Sequence, residues 1–132
     1  EQDGSLVVTN GSGGRMFVRT LLPQKAKVKL NSGDGLYCYD GNCYPPEQSR
    51  GPAPECRVEV SPPAAAETDY FLHVLSATDT TVTAPPSASC TENGDLVEVN
   101  VEGAKLTFQK SALGGQIDLN GQPAAFASGI LQ

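Results

Sequence analysis

A single histidine, His73, is the residue of this 132-residue chain best suited to acid–base or metal chemistry. It lies in the apolar stretch DYFLHVL, and alternation along a strand would place Phe71, His73 and Leu75 on one face. Catalysis would require a nucleophilic serine or cysteine beside it, and metal binding at least two further ligands, and the neighbouring sequence indicates neither. Because both faces of the stretch are apolar, we predict a structural histidine on a central strand covered on both sides.

A second group with chemical potential is a row of lysines in the stretch PQKAKVKL. Lys25, Lys27 and Lys29 alternate with apolar residues, which predicts that they share one face of a strand. Arg15 and Arg19 precede them, and a hairpin would bring these arginines close. Such a stripe suits the carboxylates or sulfates of an acidic polysaccharide. The alternative, which the sequence leaves open, is that lysines protect an edge strand from pairing with another molecule.

Three tyrosines, Tyr37, Tyr39 and Tyr44, cluster around two cysteines. An exposed aromatic ring beside polar loop groups can hold a sugar by its apolar face, so these residues are candidates for glycan binding. A tyrosine acting as a base would need a cation or metal to lower its ordinary pKa of about 10, and the sequence indicates none. Packing within the loop is the alternative role.

The cysteines predict disulfide bonds and an oxidising, secreted or periplasmic compartment. Asp40-Gly41 favours a chain reversal between the first two cysteines, so the preferred pairing is Cys38–Cys43 with Cys56–Cys90. A zinc site is the alternative, but the spacing lacks the paired cysteine knuckles of structural zinc. We therefore predict no metal and no cofactor.

Composition and charge limit the class of protein. A length of 132 residues fits one domain, covering residues 1–132. The formal net charge of −6 argues against an extended nucleic-acid surface, so no nucleic-acid partner is predicted. No apolar run approaches the roughly 20 residues needed to cross a bilayer, so no membrane partner is predicted either.

Alternation with period two recurs along the chain and predicts an all-β fold, a single antiparallel β-sandwich. Glu102-Gly103 and Asn120-Gly121 are predicted hairpin turns, because glycine accepts the positive φ that these turns need. Residues 31–54 are predicted to form a surface loop. The stretches SPPAAAE and TAPPSAS are predicted to be shorter breaks between strands. The predicted strands are Leu6–Thr9, Arg15–Leu22, Lys25–Leu30, Cys56–Val60, Tyr70–Leu75, Leu96–Val101, Ala104–Gln109, Gln116–Leu119 and one near Ala124–Ser128.

Four stretches in order, GGRMFVRTLLP, YDGNCYPP, CRVEVSPP and DYFLHVLSATD, resemble the C-terminal β-sandwich region of heparinase II/III-like polysaccharide lyases. The resemblance covers about residues 13–79. It implies a parent protein in which an α/α-toroid supplies much of the catalytic cleft for β-elimination of uronate-containing polysaccharides. No catalytic residue can be carried over, because nothing in this chain matches the toroid, and His73 matches only a strand motif.

The resemblance thus predicts a non-catalytic accessory domain of a secreted lyase-like protein. The implied partners are an acidic polysaccharide and the catalytic toroid of the same parent protein. The alternatives are a small stand-alone β-fold lyase that uses tyrosine with lysine or arginine, and a secreted interaction domain without a sugar ligand.

Overall fold

A computed structural model describes residues 5–48 and 51–126 of the chain. These residues form an all-β fold of antiparallel sheets with a single short 3₁₀ turn, Gly33–Gly35, which confirms the predicted fold class. The strands are β1 (Ser5–Thr9), β2 (Gly14–Leu22), β3 (Lys27–Ser32), β4 (Cys38–Tyr39), β5 (Asn42–Cys43), β6 (Cys56–Ser61), β7 (Leu72–Asp79), β8 (Ala88–Asn93), β9 (Leu96–Val101), β10 (Ala104–Gln109), β11 (Gly115–Leu119) and β12 (Gln122–Phe126).

The larger sheet has five strands in the order β12-β11-β10-β9-β8, so each strand pairs with its neighbour in sequence. Its turns follow from local chemistry. Glu102 and Gly103 both have positive φ, 46° and 88°, as do Asn120 and Gly121 with 56° and 81°. Two successive positive φ values are typical of the two-residue turns that match the twist of the strands they join. Both predicted hairpin turns are therefore confirmed.

The smaller sheet has the order β1-β2-β7, and its register shifts between Thr20 and Leu22. Beyond this irregularity Leu22 pairs with Leu72. Leu22 is buried against Val97 and Val99 of the five-stranded sheet, which makes this the contact between the two layers of the sandwich. The partly buried side chains around this cluster are Leu21, Leu72, Cys90, Val101, Leu106 and Phe108.

Strand β8 was not among the predicted strands. Its first two residues belong to the stretch TAPPSAS, which we predicted to be a break. The strand nevertheless pairs with β9 from Ala88 opposite Val101 to Asn93 opposite Leu96. An edge strand needs only a few apolar residues on one face, and here Cys90 packs against the core while polar residues face outward.

Strands β3 and β6 pair with each other and form a separate two-stranded ribbon. We refer to this pair of strands as the ribbon. The chain between them is not a plain loop: β4 and β5 form a short cysteine hairpin whose turn residues Asp40 and Gly41 have φ values of 48° and 77°. The predicted loop over residues 31–54 is thus partly wrong, because its first two residues extend β3 and its centre folds into this hairpin.

Candidate functional site

His73 lies on β7, which is an edge strand that pairs only with β2, so our prediction of a central strand is wrong. The face it shares is open to solvent, with Phe71 49% and Leu75 61% exposed. Its Nδ1 lies 3.0 Å from the hydroxyl of Thr20, the residue opposite it on β2. Over residues 5–48 and 51–126, no three His, Cys, Asp or Glu side chains are grouped so as to hold a metal ion. The observed contacts of His73 are those of a cross-strand pair.

Lys27 and Lys29 lie on one face of β3, as alternation predicts, and Val28 lies on the other. Lys25 does not join them on the strand. It sits in the turn before β3 with a φ of 57°, because the strand begins two residues later than predicted. Both strand lysines are exposed, and 70% of the Lys29 side chain is open to solvent.

The second strand of the ribbon adds Arg57 and Glu59 to the lysine face. Glu59 is directly opposite Lys29, and Arg57 is opposite Asn31. The Glu59 carboxylate lies 2.7 Å from Arg57 Nη2 through one oxygen and 3.8 Å from Lys29 Nζ through the other. Arg57 and Glu59 were not among the predicted site residues, although alternation in the stretch CRVEVS places them on the face opposite the valines.

The cysteine hairpin presents two of the three predicted tyrosines to solvent. Tyr39 is 65% exposed and Tyr44 is 69% exposed, whereas Tyr37 is half-buried and its carbonyl accepts a hydrogen bond from the backbone of Tyr44 at 2.9 Å. The Cys38–Cys43 disulfide joins the two strands of the hairpin. Two exposed aromatic rings therefore flank a hairpin that is closed by a covalent bond.

Arg57 connects the ribbon to the cysteine hairpin. Its Nη2 donates a hydrogen bond to the carbonyl oxygen of Cys38, in addition to its ion pair with Glu59. The basic groups of the ribbon and the tyrosines of the hairpin thus belong to one connected part of the molecule. We call the set Lys27, Lys29, Arg57, Tyr39 and Tyr44 the basic–aromatic surface.

The two arginines of β2 do not belong to this surface, because β2 pairs with β1 and β7 and not with β3. The predicted hairpin that would bring Arg15 and Arg19 to the lysines is therefore wrong. Arg19 donates to Ser5 Oγ at 3.3 Å and to the carbonyl of Ala88 at 3.4 Å. Arg15 donates to the carbonyl of Val82. Arg15 thus contacts the segment between β7 and β8, and Arg19 contacts the first residue of β8.

The cysteines follow only half of the predicted pairing. Cys38–Cys43 is confirmed, but Cys56–Cys90 is wrong, since both residues are free thiols on strands of different sheets. Cys56 is exposed on the ribbon, and Cys90 packs against the hydrophobic core as a small apolar side chain. Burial, and secondarily the nearby carboxylate of Glu92, raises the pKa of the Cys90 thiol.

The two free thiols are expected to differ in reactivity. At neutral pH a disulfide reagent such as DTNB should modify Cys56 rapidly and Cys90 slowly, because the thiolate is the reactive form and a raised pKa makes it rarer. The rate at Cys90 should rise with pH. Peptide mapping after timed labelling checks this order, and two thiols should react once the protein is denatured. Equal rates in the native protein would contradict the placement of Cys90 in the core.

The disulfide is consistent with an extracellular or otherwise oxidising location. In the part of the chain that the structure describes, no helix has the length and hydropathy needed to cross a membrane. Comparison of the chain with protein-family models, with curated proteins and with solved structures finds no match.

Proposed function

We propose that this chain is a non-catalytic β-sandwich domain of a secreted, polysaccharide lyase-like protein, and that it binds acidic polysaccharide through the basic–aromatic surface. The observation that supports glycan binding is the hydrogen bond from Arg57 to the carbonyl of Cys38, because it attaches the exposed tyrosines to the cationic face of the ribbon. The sequence resemblance is the support for the lyase-like parent protein and for a toroid partner.

The chemistry of this surface suits a polymer that carries repeated negative charges on sugar rings. Lys27 and Lys29 are two residues apart on a strand, so their Cα atoms are separated by about 6.8 Å. The ammonium groups can pair with carboxylates or sulfates, and the exposed rings of Tyr39 and Tyr44 can stack on the apolar faces of sugars.

The overall charge limits the strength of such binding. A net charge of −6 repels a polyanion except at a local cationic patch. Exposed ion pairs are also screened over about 10 Å at 0.1 M salt. We therefore expect dissociation constants no tighter than roughly micromolar, and affinity that falls as salt rises.

The double variant Lys27→Gln/Lys29→Gln is expected to bind heparin and alginate about tenfold more weakly than the unmodified chain at low salt. Two exposed charge contacts contribute roughly 1–2 kcal/mol together, and about 1.4 kcal/mol corresponds to tenfold. Stability should change by no more than about 0.5 kcal/mol, since substitutions at exposed positions have small effects. Isothermal titration calorimetry at two salt concentrations measures the affinity, and thermal unfolding checks the fold.

Lys105→Gln is a control for the loss of one cationic charge outside the ribbon. Lys105 lies on β10, 47% exposed and paired with Glu98 at 2.7 Å, so its loss lowers the cationic charge away from the ribbon. A Tyr39→Ala/Tyr44→Ala variant tests the aromatic part of the surface separately. If heparin and alginate fail to bind the unmodified chain even at low salt, the lysines serve as edge protection and the proposal is wrong.

The same samples test the non-catalytic part of the proposal. β-Elimination of a uronate polysaccharide creates an unsaturated product that absorbs in the ultraviolet. The proposal requires that incubation of alginate or heparan sulfate with the chain gives no increase in this absorbance. Turnover that is lost in variants of the tyrosines or lysines would favour the stand-alone lyase instead.

A further inference from the structure

We infer that Glu59 is an internal competitor for the anionic groups of the ligand, and that it determines how many cations of the basic–aromatic surface a polysaccharide engages. This inference rests on the proposed function and concerns the regulation of the same surface. It assigns a specificity-determining role to a carboxylate that would otherwise count only as part of the ribbon.

The geometry makes Glu59 a shared partner of two cations. One carboxylate oxygen lies 2.7 Å from Arg57 Nη2, and the other lies 3.8 Å from Lys29 Nζ. The Glu59 side chain is only 25% exposed and that of Arg57 is 34% exposed, so water screens this pair less than it screens the fully solvated charges of the surface. A carboxylate thus already occupies the position between Lys29 and Arg57 that a uronate or sulfate group would take.

The lysines of β3 are therefore not equivalent. Lys27 is opposite Ser61, a neutral residue, and within the described residues it forms no ion pair. Lys29 is opposite Glu59 and paired with it. An incoming anion meets Lys27 without competition, whereas at Lys29 and Arg57 it competes with Glu59.

The competition is strong because Glu59 is part of the same chain. A group tethered close to its partner acts at an effective concentration in the millimolar range or above, so a single ligand carboxylate in dilute solution displaces it poorly. A ligand with many anionic groups along one polymer overcomes this, because its own groups are linked to the one already held at Lys27. The arrangement therefore selects polymers of high charge density over isolated anionic sugars.

A purely structural role makes the opposite prediction. Opposite charges across two strands stabilise a pair by a modest amount, so Glu59 as a cross-strand partner would support the ribbon and its removal would weaken both folding and binding. The two roles are separated by replacing the carboxylate with a neutral group of the same shape.

The test is heparin binding by Glu59→Gln. We expect affinity at low salt to rise about three- to tenfold, because Lys29 and Arg57 become available to the polymer. In a plot of the logarithm of the dissociation constant against the logarithm of salt concentration, the slope should also increase by about one or two. Each additional cation that engages the polyanion releases counterions from it. In the Glu59→Gln background, Lys29→Gln should cost more affinity than it does in the unmodified chain.

Glu98→Gln is the matched control. It changes net charge by the same amount and removes the partner of Lys105 on the five-stranded sheet, far in sequence from the ribbon. Affinity of Glu59→Gln no higher than that of Glu98→Gln would overturn the inference while leaving the proposed function standing. Loss of the folded state of Glu59→Gln, seen by circular dichroism and thermal unfolding, would assign Glu59 a structural role and also overturn it. Failure of the unmodified chain to bind heparin at low salt would instead remove the proposed function.

Discussion

Replacing Phe17 by alanine is expected to lower the free energy of unfolding by about 3–5 kcal/mol. Phe17 lies on β2, in the middle strand of the three-stranded sheet, and only 1% of its surface is exposed. The loss combines the transfer of the ring to water with the cavity that the shortened side chain leaves behind. Chemical denaturation monitored by circular dichroism measures the change.

The surroundings of Phe17 explain why the site would not simply close. Arg15 and Arg19, the residues two before and two after it on the same face, bond to the carbonyls of Val82 and Ala88. The guanidinium carbon of Arg15 lies 6.0 Å from the centre of the Phe17 ring. These hydrogen bonds join β2 to two other parts of the chain, so a shift of β2 into the cavity would strain them.

Phe71→Ala is the matched control for the Phe17 substitution, because it removes the same ring from a position that is 49% exposed. Its cost should stay near or below about 1 kcal/mol, as is usual for substitutions outside the core. Equal losses for the two phenylalanines would contradict the assignment of Phe17 to the interior.

Replacing Gly115 by alanine is expected to cost about 1–3 kcal/mol, the range typical of an added methyl group in a packed site. Gly115 starts β11 and lies between Phe108 on β10 and Phe126 on β12, whose ring centres are 5.5 Å apart. A Cβ atom here would lie 2.5 Å from Cζ of Phe126 and closer still to the carbonyl oxygen of Thr107. The backbone oxygen cannot move without disturbing the strand pairing.

Thermal unfolding of Gly115→Ala checks this expectation, with Gly11→Ala as its control. Nothing lies within 4 Å of a Cβ built on Gly11, so the added methyl group there should leave stability nearly unchanged. A Gly115→Ala variant as stable as the control would show that the Phe126 ring can shift aside at little cost.

The hairpins of the five-stranded sheet depend mainly on residues that are close together in the sequence. Strands β9 and β10 begin and end where the alternation predicts, at Leu96–Val101 and Ala104–Gln109. The turn between them needs only two residues with positive φ, so its chemistry is contained in adjacent positions. Turn type then fixes the register of the pair. The Asp40-Gly41 turn brings Cys38 opposite Cys43 for the same reason.

The pairing of strands that are distant in the sequence could not be predicted in this way. Strand β3 was predicted to return along β2, but it pairs with β6 across the intervening residues 33–55. The choice between these partners depends on which sheet faces are buried by packing in the folded molecule. Neither turn chemistry nor alternation contains that information. Because β3 pairs with β6 and not with β2, Arg57 and Glu59 lie beside the lysines. Arg19, which was predicted to lie there, is on a different sheet.

The sequence by itself determined the all-β fold, the local hairpins, the bond between Cys38 and Cys43, and which residues share a face of a strand, because each depends on neighbours a few positions apart. Only the tertiary structure decided whether a face is covered, as the open surface around His73 shows, and which distant charges meet. The pairing of Lys29 and Arg57 with one carboxylate is of this second kind. It arises from the contact of two strands that are far apart in sequence. Alternation shows which residues of one strand share a face, but it does not show which other strand lies beside them.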